Sequence, residues 1–310
     1  MTARPLIIDC DPGVDDAIAL FLAFASPDAL DVRAITTVAG NVGGALTARN
    51  ARLIRELAGR ADVPVYAGCE RPMVRAPVDA GDFHGESGLG NLPVFEPSAP
   101  QEQMHAVMFL IEALMAAPTK SVTLAITGPM TNVAMAFVLA PQLAGRVAEI
   151  VVMGGARAEG GNITSSAEYN IYADPHAAHV VFSSGAPIVA FGLDVTHQVR
   201  STPARIDAIR AIGTPASRAS ADLLEFSAGV ERNIPGVSGA PLHDPCTIAY
   251  LLSPNLFRLA PCAIVVETGE GVALGHTSVE LRDMEFSSMR WATHADDEGV
   301  FALLLERLRA

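Results

Sequence analysis

Apolar residues fall along this chain in short blocks separated by polar turns, and the blocks alternate in length. Leu6-Ile7-Ile8 is a run of the kind that fills a buried strand; Pro12-Gly13 breaks it, and Ala17–Phe24 continues as an apolar helix. The rhythm then repeats. Val32–Val38 reads as a strand, Ala45–Leu57 as a helix, Val63–Tyr66 as a short strand and Gln101–Ala116 as a helix. Val122–Ile126, Ile150–Met153 and Ile188–Phe191 read as strands, with helices over Asn132–Leu139 and His176–Phe182 between them. The strands are continuous β-branched or apolar runs, as expected when helices cover both faces of a sheet. Alternation of this kind predicts an α/β fold, a doubly wound and mostly parallel sheet flanked by helices. After Asp194 the pattern turns helical (Ile206–Ile212, Ala216–Val230, Thr247–Leu252), which predicts a helical C-terminal portion near the candidate site. Strands return near Ala263–Val266 and Ala273–Leu281, and no linker interrupts the chain, so residues 1–310 are expected to form one domain.

The first strand-to-helix turn is chemically dense. Asp9-Cys10-Asp11-Pro12-Gly13-Val14-Asp15-Asp16 holds four carboxylates in eight residues. Strand alternation puts Asp9 and Asp11 on one face and turns Cys10 away. Asp15 and Asp16 open the helix, where the dipole favours negative charge. So many carboxylates beside an apolar strand repel one another and lose hydration, and a bound cation relieves both costs. Oxygen ligands without a local His or thiolate pair point to a hard ion, Ca²⁺ or Mg²⁺, rather than zinc. For a lone Asp-Pro-Gly, an N-cap and a solvated turn would suffice. Four acids after a buried strand favour a metal or catalytic site, because α/β sheets place ligands at strand C-terminal ends.

Composition narrows the partners. A chain of 310 residues that is 50% hydrophobic buries a large core. Its net charge of −13, with no basic run, argues against nucleic acid or an anionic membrane as partner. Cys10, Cys69, Cys246 and Cys262 show no paired spacing and read as reduced thiols of a cytoplasmic protein. Few residues precede the first strand, which leaves no room for a signal peptide, and Ala17–Ala25 is too short to span a bilayer.

Other strands also end in polar residues or glycine turns: Val38-Ala39-Gly40-Asn41, Ile126-Thr127-Gly128-Pro129 and Val152-Met153-Gly154-Gly155. Taken singly, each is explained as a turn; in a parallel sheet all of them share one edge with Asp9 and Asp11. Two long connections, from Ala67 to about Pro100 and from Gly154 to about Ala173, have the length of functional loops. The first carries His84-Gly85-Glu86 among glycines that follow no strand, which argues against a phosphate cradle. The second carries Gly160-Gly161-Asn162 and then Glu168-Tyr169-Asn170. Near the other end, His243-Asp244-Pro245 and Asp174-Pro175 both fit an N-cap followed by a first-turn proline. His243 sets the first apart, since an imidazole there needs a partner; His176, His179, His197, His276 and His294 show no ligand spacing.

Together these stretches resemble the nucleoside hydrolases. The Asp9–Asp16 motif, Val38–Asn41, His84-Gly85-Glu86, Thr127-Gly128-Pro129, Met153-Gly154-Gly155, Asn162 to Asn170 and His243-Asp244-Pro245-Cys246 follow in that family's order, from about Pro5 to near the C-terminus. The likeness is strongest to the inosine–uridine-preferring and pyrimidine-preferring branch. It implies hydrolysis of the N-glycosidic bond of ribonucleosides and a Ca²⁺ ion held by Asp11, Asp16, Asp244 and the carbonyl of Thr127. Asp11 would also take the proton of the attacking water. Asp15, Asn41, Asn162, Glu168 and Asn170 would grip the ribose with Met153 alongside; His84 and His243 would lie by the base, His243 as its proton donor. Asp9 would support the ligands, and the chain would form a homodimer or homotetramer. Purine-specific relatives stack the base on tryptophan, whereas Trp291 near the C-terminus is the single Trp here. The segment Phe226 to Pro241 is expected to border the base. Two alternatives share part of the pattern. Haloacid-dehalogenase-like phosphatases also open with strand-Asp-x-Asp, but need Thr or Val where this chain has Gly13. A non-catalytic nucleoside- or metal-binding protein could keep the same scaffold.

Overall fold

A computed structural model describes residues 2–78, 80–231 and 239–309. Its framework is a sheet of nine strands in the order β10-β9-β11-β6-β5-β4-β1-β2-β3. The strands are β1 (Arg4–Cys10), β2 (Leu30–Thr37), β3 (Val65–Ala67), β4 (Thr123–Ile126), β5 (Glu149–Met153), β6 (Ile188–Phe191), β9 (Phe257–Val266), β10 (Thr277–Glu280) and β11 (Met289–Ala295), while β7 (Arg200–Ser201) and β8 (Ala240–Pro241) form a separate two-stranded ribbon. The pairs from β3 through β11 are parallel; β9 is antiparallel to β11 and to β10. Helices are α1 (Val14–Phe24), α2 (Gly44–Leu57), α3 (Gly81–His84), α4 (Ala106–Ala116), α5 (Thr131–Leu139), α6 (Tyr169–Ala173), α7 (Pro175–Phe182), α8 (Leu193–Thr196), α9 (Pro203–Ile212), α10 (Pro215–Glu231), α11 (Pro245–Leu252) and α12 (Asp297–Arg307).

The doubly wound expectation holds, and β1 shows why. Leu6, Ile8 and Cys10 enter one core with α1, α10 and α11, whereas Ile7 enters the other with α4, α5 and α7. Period-two alternation therefore feeds two apolar layers, so the strand reads as an unbroken apolar run. Helix α1 has the same all-round character: of its residues Asp15 alone is not buried, since it is sandwiched between the sheet and α10 and α11. Strand order reverses between β1 and β4, and the crevice outside the carboxyl ends of such a switch point is where open α/β sheets bind ligands.

Several boundaries differ from the sequence reading for local reasons. Helix α4 starts at Ala106 rather than Gln101, because the His105 side chain caps it and Glu102 is still extended, donating to the carbonyl of Val65. The run Ala273–Leu281 shrinks to β10, with Gly275 at positive φ just before it. Strand β11 was not legible. Arg290, Thr293 and His294 are exposed, and its pairing to β6 and β9 is decided by partners far away in sequence. The C-terminal helices α9, α10 and α11 are present, and α11 and α10 pack on α1 as expected of a helical portion near the site. Of the segment expected to border the base, residues 232–238 lie outside the described residues.

Candidate active site

The carboxylates of the first turn converge at the switch point. Asp9, at the end of β1, accepts at Oδ1 from Thr36 Oγ1 (2.5 Å) and Asn132 Nδ2 (2.9 Å). Asn132 also donates to the carbonyl of Thr37 and accepts from Cys69 N, so Asp9 is pinned between β2 and α5. Asp11, just past β1, accepts at Oδ2 from Asn41 N (2.7 Å), while its Oδ1 is buried without a hydrogen-bond partner. Asp16, three residues into α1, accepts at Oδ2 from Gly13 N (2.9 Å) and Asn41 Nδ2 (3.1 Å), and at Oδ1 from Thr127 Oγ1 (2.7 Å). The Gly13 bond satisfies one of the orphan donors at the start of the helix.

Asp244 and Asp174 precede prolines in the same way, yet the structure separates them. The Asp174 side chain caps α7 through Ala177 N (3.0 Å), whereas the Asp244 side chain makes no cap bond to α11. Asp244 turns instead to the cluster, where Asp15, Asp16 and Asp244 offer oxygens within 4.8 Å of one another. The cluster can hold a metal ion. Burial pushes Asp16 up to about 7, aided by the charge of Asp15, and pushes Asp11 and Asp244 well above the usual carboxylate range. Asp9 rises to about 7 by burial alone, its hydrogen bonds opposing. Buried acids without a counter-charge resist joint ionisation, and a divalent cation supplies that charge. The all-oxygen donor set and the partnerless Oδ1 of Asp11 fit a hard ion of the Ca²⁺ or Mg²⁺ kind. Glycine makes the close packing possible. A Cβ on Gly40 would lie 2.0 Å from Asp11 Oδ2, and one on Gly128 would lie 2.4 Å from Asp11 Oδ1.

Above the carboxylates lies a cavity of about 200 Å³. Of the residues singled out in the sequence, Asp15, Asn41, His84, Thr127, Met153, Asn162, Glu168, Asn170, His243 and Asp244 line it; Asp11 and Asp16 are buried outside its lining, fully enclosed. Glu168 accepts from the backbone N–H groups of Gly155, Asn170 and Ile171, yet burial still pushes its carboxyl upward. Asn170 donates to the carbonyl of Thr127 (2.8 Å), which leaves its amide oxygen for the cavity. Asn162 does the reverse: its oxygen accepts from Tyr169 N (2.8 Å), which leaves the amide nitrogen. Asn41 spends its nitrogen on Asp11 O and Asp16. The geometry also draws Asp15 into the carboxylate cluster, besides its place on the cavity wall.

Three histidines face the same cavity. His84 Nδ1 accepts from Val14 N (3.1 Å); since a backbone N–H only donates, this imidazole carries its proton on Nε2. A Cβ on Gly13 would lie 2.5 Å from that Nδ1. His243 Nδ1 lies 2.8 Å from Thr196 Oγ1, and burial pushes its pKa down to about 4. The β7–β8 ribbon and the bond from Leu242 N to Val199 O carry His243 to α8. His197, passed over in the sequence, also lines the cavity, with its ring centroid 5.7 Å from that of His243 and Nδ1 3.2 Å from Glu159 Oε2. No ligand-type spacing marks it, because its neighbour His243 lies 46 residues on. Phe83, Ser227 and Val230 complete this side, whereas Trp291 is buried in the sheet away from the cavity.

The carboxylates meet at the switch point beneath a cavity walled by Asn41, Asn162, Asn170 and three histidines, an arrangement suited to hydrolysis of a glycosyl substrate. The chain belongs to the nucleoside hydrolases: residues 6–302 match the family described as inosine-uridine preferring nucleoside hydrolase. It is 44% identical over 309 residues to a pyrimidine-specific ribonucleoside hydrolase of Photobacterium profundum, covering 99% of both chains. Among solved structures, a plant nucleoside hydrolase matches with a TM-score of 0.91 at 33% identity, covering 99% of each chain. A purine-preferring ribonucleoside hydrolase from Gardnerella vaginalis matches with a TM-score of 0.92 at 32% identity, over 99% of this chain and 98% of that one. The phosphatase alternative falls with these matches.

Proposed function

We propose that the chain is one catalytic domain that hydrolyses the N-glycosidic bond of pyrimidine ribonucleosides, with inosine a secondary substrate. One observation carries the reading: Asp15 and Asp244 of the carboxylate cluster line the same cavity as Asn41, Asn162, Glu168 and Asn170. The pyrimidine preference rests on the 44% identical relative and on the absence of tryptophan from the described cavity wall.

Asp11, Asp16, Asp244 and the carbonyl of Thr127 would hold the ion, a Ca²⁺, which when bound would lower the pKa of water toward neutral pH. Asp11 accepts the proton of the attacking water at its partnerless Oδ1. Asp15, Asn41, Asn162, Glu168 and Asn170 hold the ribose hydroxyls, with Met153 alongside. Their bonds tighten as the sugar flattens toward an oxocarbenium-like transition state, which raises kcat rather than mere affinity. His243 presents its Nε2–H to the departing base as the general acid, meeting the negative charge that builds there, and His84 lies on the same nucleobase side. Four free cysteines without a disulfide support a cytoplasmic protein, and no described helix is long and apolar enough to cross a membrane. Met108 and Met115 on α4 and Val138 and Leu139 on α5 are exposed, which supports a homo-oligomer.

The test is to incubate the calcium-loaded protein with uridine, cytidine, inosine and uridine monophosphate. Free ribose from the nucleosides, fastest with uridine or cytidine, is the expected result. Release of phosphate alone, or tight nucleoside binding with no ribose, would overturn the reading.

A further inference from the structure

We infer that Thr196 is a positioning residue that decides which nitrogen of His243 faces the nucleobase, an assignment that rests on the ribonucleoside hydrolase reading above. Thr196 is wholly buried at the end of the short helix α8, and its hydroxyl meets the Nδ1 of His243 at 2.8 Å. Both side chains are held in place from behind. Asp194 accepts from Arg157 N and Ala158 N, and Leu193 N donates to Gly155 O, so α8 is tied to the loop that leads to Asn162 and Glu168. On the other side Leu242 N donates to Val199 O, which locks the approach to His243 against the segment after α8. The His197 ring lies tilted by 57° beside that of His243, leaving the Thr196 hydroxyl to set the hydrogen bond at Nδ1.

The chemistry of the partner matters. A hydroxyl can donate or accept. On this assignment the hydroxyl donates to Nδ1 of the neutral ring, and the imidazole then carries its hydrogen on Nε2. When the imidazole is cationic, the same hydroxyl rotates and accepts from Nδ1–H, and the proton passed to the base again comes from Nε2. A backbone carbonyl at this place would hold Nδ1–H permanently and leave a bare Nε2 against the base. A carboxylate would add one more negative charge to a site that already holds Asp15, Asp16 and Asp244 within 4.8 Å. His84 illustrates the opposite arrangement, with Nδ1 bound to a donor that cannot reverse.

Thr196→Val keeps the shape and removes the hydroxyl; Thr196→Ser keeps the hydroxyl. In the calcium-loaded protein, kcat for uridine relative to p-nitrophenyl riboside is expected to fall about 10–100-fold in Thr196→Val, the range for removing an orienting partner. KM for uridine should move little, and Thr196→Ser should restore the ratio. Nitrogen-15 spectra of labelled histidine, with His243 assigned by its loss in His243→Gln, should show a single Nε2–H form in the wild type and a mixture in Thr196→Val. An unaltered tautomer in Thr196→Val, or equal loss in the Val and Ser variants, would overturn the proposal. If the wild type releases no ribose, the functional reading fails, and the tautomer spectra still decide the role of Thr196.

Discussion

The floor and the wall of the cavity are built by opposite means. The floor (Asp9, Asp11, Asp16 and Asp244) is wholly buried, dense in charge, and three of its four acids come from one eight-residue stretch. The wall (His84, His197, His243 and Thr196) is assembled from three segments at least 46 residues apart, and its histidines are only half-buried. The floor has no tolerance for added atoms, as Gly40 and Gly128 show, whereas the wall depends on the choice of one hydrogen-bond partner for each ring. The difference teaches a division of labour. On the proposed reading, the floor acts on the water and the sugar, which every substrate shares, and the wall acts on the leaving group, which varies.

That division is open to direct attack, beginning with the floor. Asp11→Ala should lower kcat by about 10⁴ on uridine and on p-nitrophenyl riboside alike, the upper range for a lost proton acceptor. A variant that spares the nitrophenyl substrate would place Asp11 with the wall. The sugar should discriminate almost as strongly. Sites built to hydrogen-bond a hydroxyl reject the analogue that lacks it by about 10⁴, so 2′-deoxyuridine should lose that factor in kcat/KM. Equal rates would remove Asn162, Glu168 and Asn170 from the ribose.

His243→Ala comes next. Uracil leaves as a basic anion and nitrophenolate does not, so the loss should be roughly 10²–10⁴ on uridine and slight on the nitrophenyl riboside. Equal losses would mean that His243 serves only to hold Asp244.

The floor should also announce itself through stability and pH. Asp9 and Asp16 are pushed up to about 7, above their unfolded range, so between roughly pH 4 and 7 the folded state holds more protons than the unfolded one. Stability of the chelated protein should therefore fall as pH rises through that window, and its melting temperature should be several degrees lower at pH 8 than at pH 5. Ca²⁺ should flatten the slope and restore turnover. A chelated protein equally stable at both values would break the picture of an uncompensated floor. The smallest effect is kept for His84. His84→Ala leaves Val14 N–H without its partner and should cost about 1 kcal/mol of stability, a loss that His243→Ala should not share.

Much of the floor was legible because its physics is local. A buried strand followed by four acids poses a charge problem that only a cation or catalysis resolves, and the alternating apolar runs place that strand in a doubly wound sheet. Strand β11 and helix α8 were not legible, since the first borrows its pairing from β6 and β9 and the second is four residues long. His197 went unmarked for the same reason that Thr196 did: nothing in the neighbouring residues hints at an imidazole 46 or 47 positions away.

Sequence alone thus determined the class of fold and the acidic first turn, because periodicity, charge density and turn chemistry act within a few residues; the ribose-binding residues were named only through the family resemblance. Tertiary structure turned Asp244, whose neighbours alone fit a helix cap equally well, into the cluster, while Asp174 caps its helix as the sequence suggested. It also decided which nitrogen each histidine turns to the cavity. Those choices depend on which hydrogen-bond donor comes within 3 Å or so of an atom, and such distances are set by how helices and strands pack, not by the order of residues along the chain.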